Sequence, residues 1–97
     1  MTYFAVTYTY RPDSEEIINL RPTHREFISG LKDEGQILGS GPFTDGEGGA
    51  LIIIELEDGS TLADAENLMN NDPFHSGGAL ENRSIRIWNP VINIFAG

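Results

Sequence analysis

The sequence predicts an α+β domain with the ferredoxin-like βαββαβ order of elements. Four segments have the apolar alternation or apolar density of strands, and two segments between them repeat apolar residues at helical spacing. Each helical segment connects two strands by a crossover, and right-handed crossovers place both helices on one face of a single sheet. At 97 residues the chain is expected to form one domain, spanning residues 1–97.

The strands are predicted from alternation and from aromatic and β-branched content. The first strand has an apolar face formed by Phe4, Val6 and Tyr8, and the third strand has large apolar side chains on both faces. These two strands are expected at the centre of the sheet. The predicted strands span residues 3–10, 36–43, 50–57 and 80–88, with a short fifth strand at residues 91–95.

The first helical segment is predicted as two pieces. Asp13 has the spacing of an N-cap for a short helix over residues 13–20. Pro22 disfavours helical geometry in the residue before it, so a break is expected there. The main helix then runs over residues 23–34 and ends at Gly35, a residue suited to a left-handed cap.

The start of the main helix carries a histidine on its apolar face. Thr23 and Glu26 have the spacing of a capping box, in which each side chain binds the other residue's backbone N–H. Residues at positions i, i+3, i+4 and i+7 share one face of a helix, and here they are His24, Phe27, Ile28 and Leu31.

The second helix is bounded by a polar cap and a proline. It is expected to begin at Ser60 or Thr61 and to end by Asp72, because Pro73 follows. Residues 74–78 are predicted as a loop. The buried stripe of this helix is expected to contain Leu62, Ala65, Leu68 and Met69.

Composition excludes several classes of partner. The formal net charge is −9, which repels nucleic acid and anionic membrane surfaces. No apolar run approaches the roughly 20 residues that span a bilayer. The N-terminal residues do not have the pattern of a signal peptide, so a cytoplasmic protein is expected. The absence of cysteine excludes disulfides and thiolate chemistry.

Two arginines flank the histidine of the main helix. Five of the six basic residues are arginines, and Arg21 and Arg25 are the pair beside His24. In so acidic a chain they could form a local pocket for a carboxylate. Surface ion pairing is the alternative interpretation.

His24 and Asp72 are the candidate catalytic pair. A histidine near a helix N-terminus is kept neutral by the helix dipole, as a general base requires. Asp72 lies at the end of the second helix, where an anion is unfavourably placed unless a cation or a protonated ring holds it. A packed structural histidine that is hydrogen-bonded to a carboxylate is the alternative.

Other candidate sites are weaker. His75 is expected to be an exposed loop residue, and the two histidines have no metal-ligand spacing, so neither a metal nor another cofactor is predicted. The Gly39-Ser40-Gly41-Pro42 run is not a dinucleotide fingerprint, because Pro42 prevents the helix that this motif opens. Ser40 and Phe74 are candidate pocket residues, with strand-end and core roles as alternatives.

The helix-free face of the sheet is also expected to be apolar. Leu51 and Ile53 lie there on the third strand, beside Tyr3 and Ala5 on the first. Monomers rarely expose a contiguous apolar patch. The sequence therefore predicts a homodimer in which two sheets meet through this face.

Three segments, in their order and at their distances, form a family pattern. They are Arg21-Pro22-Thr23-His24, the stretch Asp33-Glu34-Gly35-Gln36-Ile37-Leu38-Gly39-Ser40-Gly41-Pro42, and Asp72-Pro73-Phe74 followed by Gly78 and a strand ending near Trp88. The pattern resembles the YciI-like (YCII-related) family. The resemblance implies a dimeric α/β barrel akin to muconolactone isomerase, with an active site that pairs His24 with Asp72. Some members are associated with dehydrochlorination of aromatic breakdown intermediates.

The leading hypothesis is a small cofactor-independent lyase or isomerase, with dehydrochlorinase-type enzymes included. His24 would move a proton on a small anionic or aromatic-derived substrate, Asp72 would orient the ring, and Arg21 or Arg25 would hold an anionic group. One alternative is a non-enzymatic dimeric small-ligand-binding module whose His–Asp pair braces helix ends. Another is a cofactor-free monooxygenase on the same barrel.

Overall fold

A four-stranded antiparallel sheet with helices on one face forms the fold of the protein. The structure, a computed structural model, describes residues 1–92. The sheet order is β2-β3-β1-β4, so the predicted central strands are central and the ferredoxin-like α+β prediction is confirmed. The elements in chain order are β1 (Thr2–Tyr10), α1 (Glu15–Asp33), β2 (Ile37–Pro42), β3 (Gly49–Leu56), α2 (Leu62–Met69), α3 (Pro73–Ser76) and β4 (Leu80–Trp88).

Alternation along β1 and β3 creates the core on the helix side of the sheet. Phe4 pairs with Ile54 and Val6 with Ile52, and all four side chains are fully buried. Tyr8 continues the same face and is 1% exposed. These residues bring the end of β1 underneath the helices, where the candidate site lies.

The predicted break at Pro22 is wrong, because α1 is one continuous helix with Pro22 inside it. The proline cannot donate to the carbonyl of Ile18, a loss that costs about 3 kcal/mol in a helix interior. Both Ile18 and Pro22 are exposed, so that carbonyl lies on the water-facing side of the helix. Ile17 and Leu31 are buried on either side of the proline and hold the helix together through packing.

The predicted caps of α1 also need correction. Ser14 is the N-cap, and Asp13 stands before it with a φ of 54°. Thr23 is an interior residue, and its hydroxyl donates to the Leu20 carbonyl at 3.0 Å instead of forming a capping box. At the other end Gly35 has a φ of 72°, the left-handed conformation predicted for it.

The segment that leads to β4 contains a short helix where a loop was predicted. Thr61 caps α2 in a capping box with Asp64. Ala65 and Met69 of the predicted buried stripe are buried, but Leu62, the first residue of α2, is 45% exposed. After α2 the chain turns at once into α3, which begins at Pro73.

The predicted fifth strand is not formed in the described part of the chain. Val91 and Ile92 are exposed residues in a bend, and the rest of the prediction, residues 93–95, lies outside the described residues. Among the helices of residues 1–92, none combines the length and the apolar character that crossing a membrane requires.

Candidate active site

Asp72 is a fully buried carboxylate between α2 and α3. It is the N-cap of α3, and its Oδ1 accepts a hydrogen bond from the Phe74 backbone N–H at 3.0 Å. The interpretation of Asp72 as an anion at an unfavourable helix end is therefore wrong. The carboxylate faces the first turn of a following helical segment, where free N–H groups stabilise it. Pro73 serves this turn, because a first helical position needs no N–H.

His24 lies in the middle of α1, so the prediction that the helix dipole keeps its ring neutral is also wrong. The structure nevertheless brings His24 and Asp72 together. The Nδ1 atom of His24 is 2.8 Å from Oδ1 and 2.9 Å from Oδ2 of Asp72. Because a carboxylate accepts, Nδ1 carries a hydrogen, and in the neutral ring Nε2 is then the acceptor. This tautomer has the form of a general base.

Phe74 fixes the plane of the imidazole. The rings of His24 and Phe74 are stacked, with centroids 4.0 Å apart and an interplanar angle of 9°. Phe74 is 1% exposed and also lines the cavity beside His24. Phe74, which the sequence predicted as a pocket residue, thus packs against the histidine ring. Asp72 and Phe74 belong to the same short turn, so this turn supplies both the hydrogen-bond acceptor and the stacking ring for His24.

Tyr8 is a site residue that sequence analysis treated as core. Its hydroxyl donates to Oδ2 of Asp72 at 2.8 Å, so the carboxylate binds donors from β1, α1 and α3. Burial raises the pKa of Tyr8 well above its ordinary 10.0, and the Asp72 charge and hydrogen bond raise it further. The phenol is therefore a fixed donor. A tyrosine on a buried strand face was the available signal, because a buried hydroxyl needs a partner.

A cavity of about 490 Å³ opens beside His24 between α1 and the edge strand β2. It brings together the predicted residues Arg21, Arg25 and Ser40 with His24 and Phe74. Within residues 1–92 neither arginine forms a salt bridge, so surface ion pairing does not account for them. The full lining is Tyr10, Arg21, His24, Arg25, Ile28, Ser29, Ser40, Gly41, Pro42, Ala50 and Phe74.

The second histidine does not belong to this site. His75 is exposed on α3, next to Phe74 in sequence but absent from the cavity lining. Over the described range 1–92, no three histidine, aspartate or glutamate side chains come together as a metal site would require.

Comparison with known proteins gives a family and a fold. The family model of the YCII-related domain matches residues 1–89. No curated protein matches the chain. Among solved structures, 5-chloro-2-hydroxyhydroquinone dehydrochlorinase (TftG) from Burkholderia phenoliruptrix AC1100, in complex with 2,5-dihydroxybenzoquinone, is similar with a TM-score of 0.77 and 22% identity. The match covers 90% of this chain and 93% of that one.

Two further structures have the same fold at lower similarity. An antibiotic biosynthesis monooxygenase matches with a TM-score of 0.60 and 18% identity, over 94% of this chain and 99% of that one. Protein Atu4242 from Agrobacterium tumefaciens matches with a TM-score of 0.61 and 19% identity, over 95% of both chains. The family match spans the sheet, the helices and every residue of the cavity, and the chain belongs to the YCII-related family.

Proposed function

We propose that the protein is a small lyase or isomerase that uses general acid–base chemistry on an anionic, aromatic-derived metabolite and needs no cofactor. The observation that carries this proposal is the contact of His24 Nδ1 with both oxygens of the buried Asp72 carboxylate, at 2.8 and 2.9 Å. That contact leaves Nε2 as the ring nitrogen available to a molecule in the cavity.

The proposed step is a proton transfer. His24 Nε2 takes a proton from a hydroxyl or an acidic carbon of the substrate, and the electron pair moves into the conjugated system. In an isomerisation the imidazolium returns the proton at a second position. In a dehydrochlorination the proton is returned to the ring carbon that bears chlorine, which gives a keto tautomer; loss of a proton from a second hydroxyl then expels chloride and leaves the quinone. Asp72 orients the ring and stabilises its charged form. Assistance of this kind is worth about 10²–10⁴-fold in rate.

Two arginines support an anionic substrate. Arg21 and Arg25 stand one helical turn apart on α1 and both line the cavity beside His24. Guanidinium groups bind carboxylates and ionised phenols through charge-assisted hydrogen bonds. In a chain of net charge −9, this local positive charge is the feature that would draw an anion to the site.

The similarity to a dehydrochlorinase supports the reaction class. That enzyme acts on 5-chloro-2-hydroxyhydroquinone, a chlorinated trihydroxybenzene, and its structure holds 2,5-dihydroxybenzoquinone. Loss of HCl from such a ring begins with the removal of a proton, the step proposed for His24. At 22% identity the likeness extends to the fold, so the substrate itself is part of the proposal.

Replacing His24 with asparagine tests the proposed function. Asparagine keeps an N–H donor close to the position of Nδ1 but has no counterpart of Nε2. We expect His24→Asn to lower the turnover number about 10²–10⁴-fold on a panel of chlorinated hydroxyhydroquinones assayed without oxygen. Turnover is followed by chloride release and by the absorbance of the quinone product.

His75→Asn is the matched control, since His75 is exposed and absent from the cavity lining. It should retain wild-type turnover. Undiminished turnover in His24→Asn, or no turnover of any panel member by the wild type, would contradict the proposal. Activity that requires oxygen would instead indicate a monooxygenase.

A non-enzymatic binding module is the second candidate. The observation in its favour is that Asp72 ties β1, α1 and α3 together through Tyr8, His24 and the Phe74 backbone. Such a pair could serve as a brace. Saturable binding of an anionic ring without turnover would favour this function.

We propose further that the active form is a homodimer through the helix-free face. Leu51 is 39% exposed there, in a strand whose other face is buried. In the neighbouring edge strand β2, the backbone at Gly39 and Gly41 is not covered by other atoms of the subunit, because a methyl group built on either glycine would meet no atom within 4 Å. Neither glycine has a positive φ, so the subunit alone gives no reason for them. Close approach of a second copy supplies one.

A further inference from the structure

Tyr10, the last residue of β1, follows an irregularity in the pairing of that strand. The pairing of β1 with β4 shifts its register between Thr9 and Tyr10. Such irregularities re-aim the side chain that follows them. The Tyr10 ring packs with its edge toward Phe74, with centroids 5.6 Å apart at an angle of 68°. Phe74 therefore contacts both His24 and Tyr10, which puts the phenol and the imidazole around one shared ring.

The surroundings of Tyr10 differ from those of Tyr8. Tyr8 is buried and its hydroxyl is bound to Asp72. Tyr10 is half-buried and lines the cavity with His24 and Arg21. Among residues 1–92 no group forms a hydrogen bond with the Tyr10 hydroxyl. Its donor is therefore free for a ligand.

The Tyr10 phenol is protonated at neutral pH, since its ordinary pKa is 10.0 and its surroundings raise it. Burial raises the pKa of Tyr10, and the Asp72 carboxylate raises it further, while Arg21 opposes the shift. A neutral phenol can donate its hydrogen to a negatively charged oxygen, which an ionised phenol could not do. Arg21 is close enough to Tyr10 to affect its pKa and lines the same cavity, so a guanidinium and a phenol are both available there as donors.

We propose that Tyr10 is a ligand-contacting residue that donates a hydrogen bond to the oxyanion of a hydroxylated aromatic ring bound beside His24. The inference rests on the proposed function in taking this cavity as the substrate site. Removal of a proton by His24 leaves negative charge on a substrate oxygen, and a fixed donor at that oxygen stabilises the charge as it develops. In this arrangement His24 accepts the proton, and Tyr10 stabilises the oxyanion that the proton leaves behind.

Tyr10 also lines a second cavity with several acidic groups. This cavity has a volume of about 730 Å³, and its charged groups are four carboxylates and one arginine, namely Asp13, Glu15, Glu47, Glu81 and Arg11. Because the ring lines both cavities, its removal would change both of them. Substitutions that keep the ring therefore test the hydroxyl alone.

The experiment measures binding of 4-nitrocatechol, whose ionised form absorbs visible light and shifts to shorter wavelength when its oxygen accepts a hydrogen bond. The wild type should bind the probe saturably with such a shift. Tyr10→Phe should bind it about 10- to 100-fold more weakly, the usual effect of losing a hydrogen bond to a charged group. The shift should be lost as well. The melting temperature should stay unchanged, because the lost oxygen has no partner in the protein.

Tyr3→Phe is the matched control, since it removes the same atom from the other face of β1. It should bind and shift the probe as the wild type does. Equal binding and an equal shift in Tyr10→Phe, or no saturable binding to the wild type, would overturn the inference. Binding of this kind without turnover in the wild type would refute the proposed reaction and leave this inference standing.

Discussion

The buried carboxylate of Asp72 is the common hydrogen-bond acceptor of the site. Its two oxygens accept from the Tyr8 hydroxyl, the His24 ring and the Phe74 backbone at 2.8–3.0 Å. Burying an unpaired carboxylate is very costly, and hydrogen bonds to a charged group return about 1.5–3 kcal/mol each. The position thus requires all three donors, and losing one leaves the charge partly unsatisfied.

Tyr8→Phe should lower stability at neutral pH and remove part of the alkaline sensitivity of the protein. The loss at neutral pH should be about 1–3 kcal/mol, because Asp72 loses a donor. The folded chain keeps the Tyr8 proton above pH 10.0, while the unfolded chain releases it. Stability from this group is therefore fully present below pH 10.0 and is lost as the pH rises, by up to about 1.4 kcal/mol per pH unit.

Urea unfolding from neutral to alkaline pH measures this difference. The wild-type free energy of unfolding should fall more steeply than that of the variant once the pH exceeds 10.0. Tyr3→Phe, on the helix-free face, should follow the wild type. Parallel slopes for wild type and Tyr8→Phe would mean that the Tyr8 proton is released as easily in the folded chain as in the unfolded one.

Sequence patterns indicated part of this residue-scale arrangement. The contact between His24 and Asp72, 48 positions apart, was expected from the resemblance and is present. The role of Tyr8 was not, since a tyrosine on an apolar strand face looks like any core aromatic until its hydroxyl is located. The reasons given for His24 and Asp72 from helix dipoles failed, because they depended on helix ends that were placed wrongly.

At the scale of elements, the continuity of α1 shows how packing overrides a local rule. Pro22 predicts a break, and sequence alone gives no measure of what opposes it. Ile17 before the proline and His24 and Leu31 after it are buried on the same side. The single helix α1 therefore carries both core residues and cavity residues. The short α3 was missed for another reason: Pro73 was interpreted only as the end of α2, although Asp72 before it is a local cap for a following helix.

Gly77 sets the approach of α3 to α1 and provides a test of that contact. A methyl group on Gly77 would lie 2.7 Å from the Pro73 carbonyl and would clash with the Leu20 side chain. Gly77→Ala should therefore destabilise the fold by about 1–3 kcal/mol, as overpacking does. Turnover should fall too, because α3 carries the Asp72 cap and Phe74.

Gly30→Ala is the matched control within α1. A methyl group there meets nothing within 4 Å, and alanine is the better helix former by about 0.5–1 kcal/mol. Chemical denaturation of the two variants should give changes of opposite sign. A neutral or stabilising Gly77→Ala would show that α3 can move away from α1 without cost.

At the scale of the molecule, the apolar character of β3 on both faces is the basis of the dimer proposal. Leu51→Lys should convert a particle of twice the 10.7 kDa chain mass into one of single mass, as measured by sedimentation at micromolar concentration. The change is tolerable for the subunit, because Leu51 is already 39% exposed. A charged group at the centre of a sheet-to-sheet interface would be left unpaired there.

Ile18→Lys adds the same charge at an exposed position of α1, away from the helix-free face, and should leave the particle mass unchanged. A wild type that sediments at the mass of one chain would refute the dimer.

The sheet order, by contrast, was accessible from sequence, because the order of strands and helices predicts the ferredoxin-like arrangement, in which β1 and β3 lie at the centre. Edge strands and terminal segments have weaker patterns, and the predicted fifth strand shows this limit.

Pro42 and the short length of β2 have a consequence for solubility. Exposed sheet edges attract strands from other chains, which add to the ladder and lead to aggregates. At this edge Pro42 offers no N–H, and β2 is only six residues long. A foreign strand therefore finds no long row of donors along the rim of the cavity. Small molecules can reach this rim, while other polypeptides gain little by adhering to it.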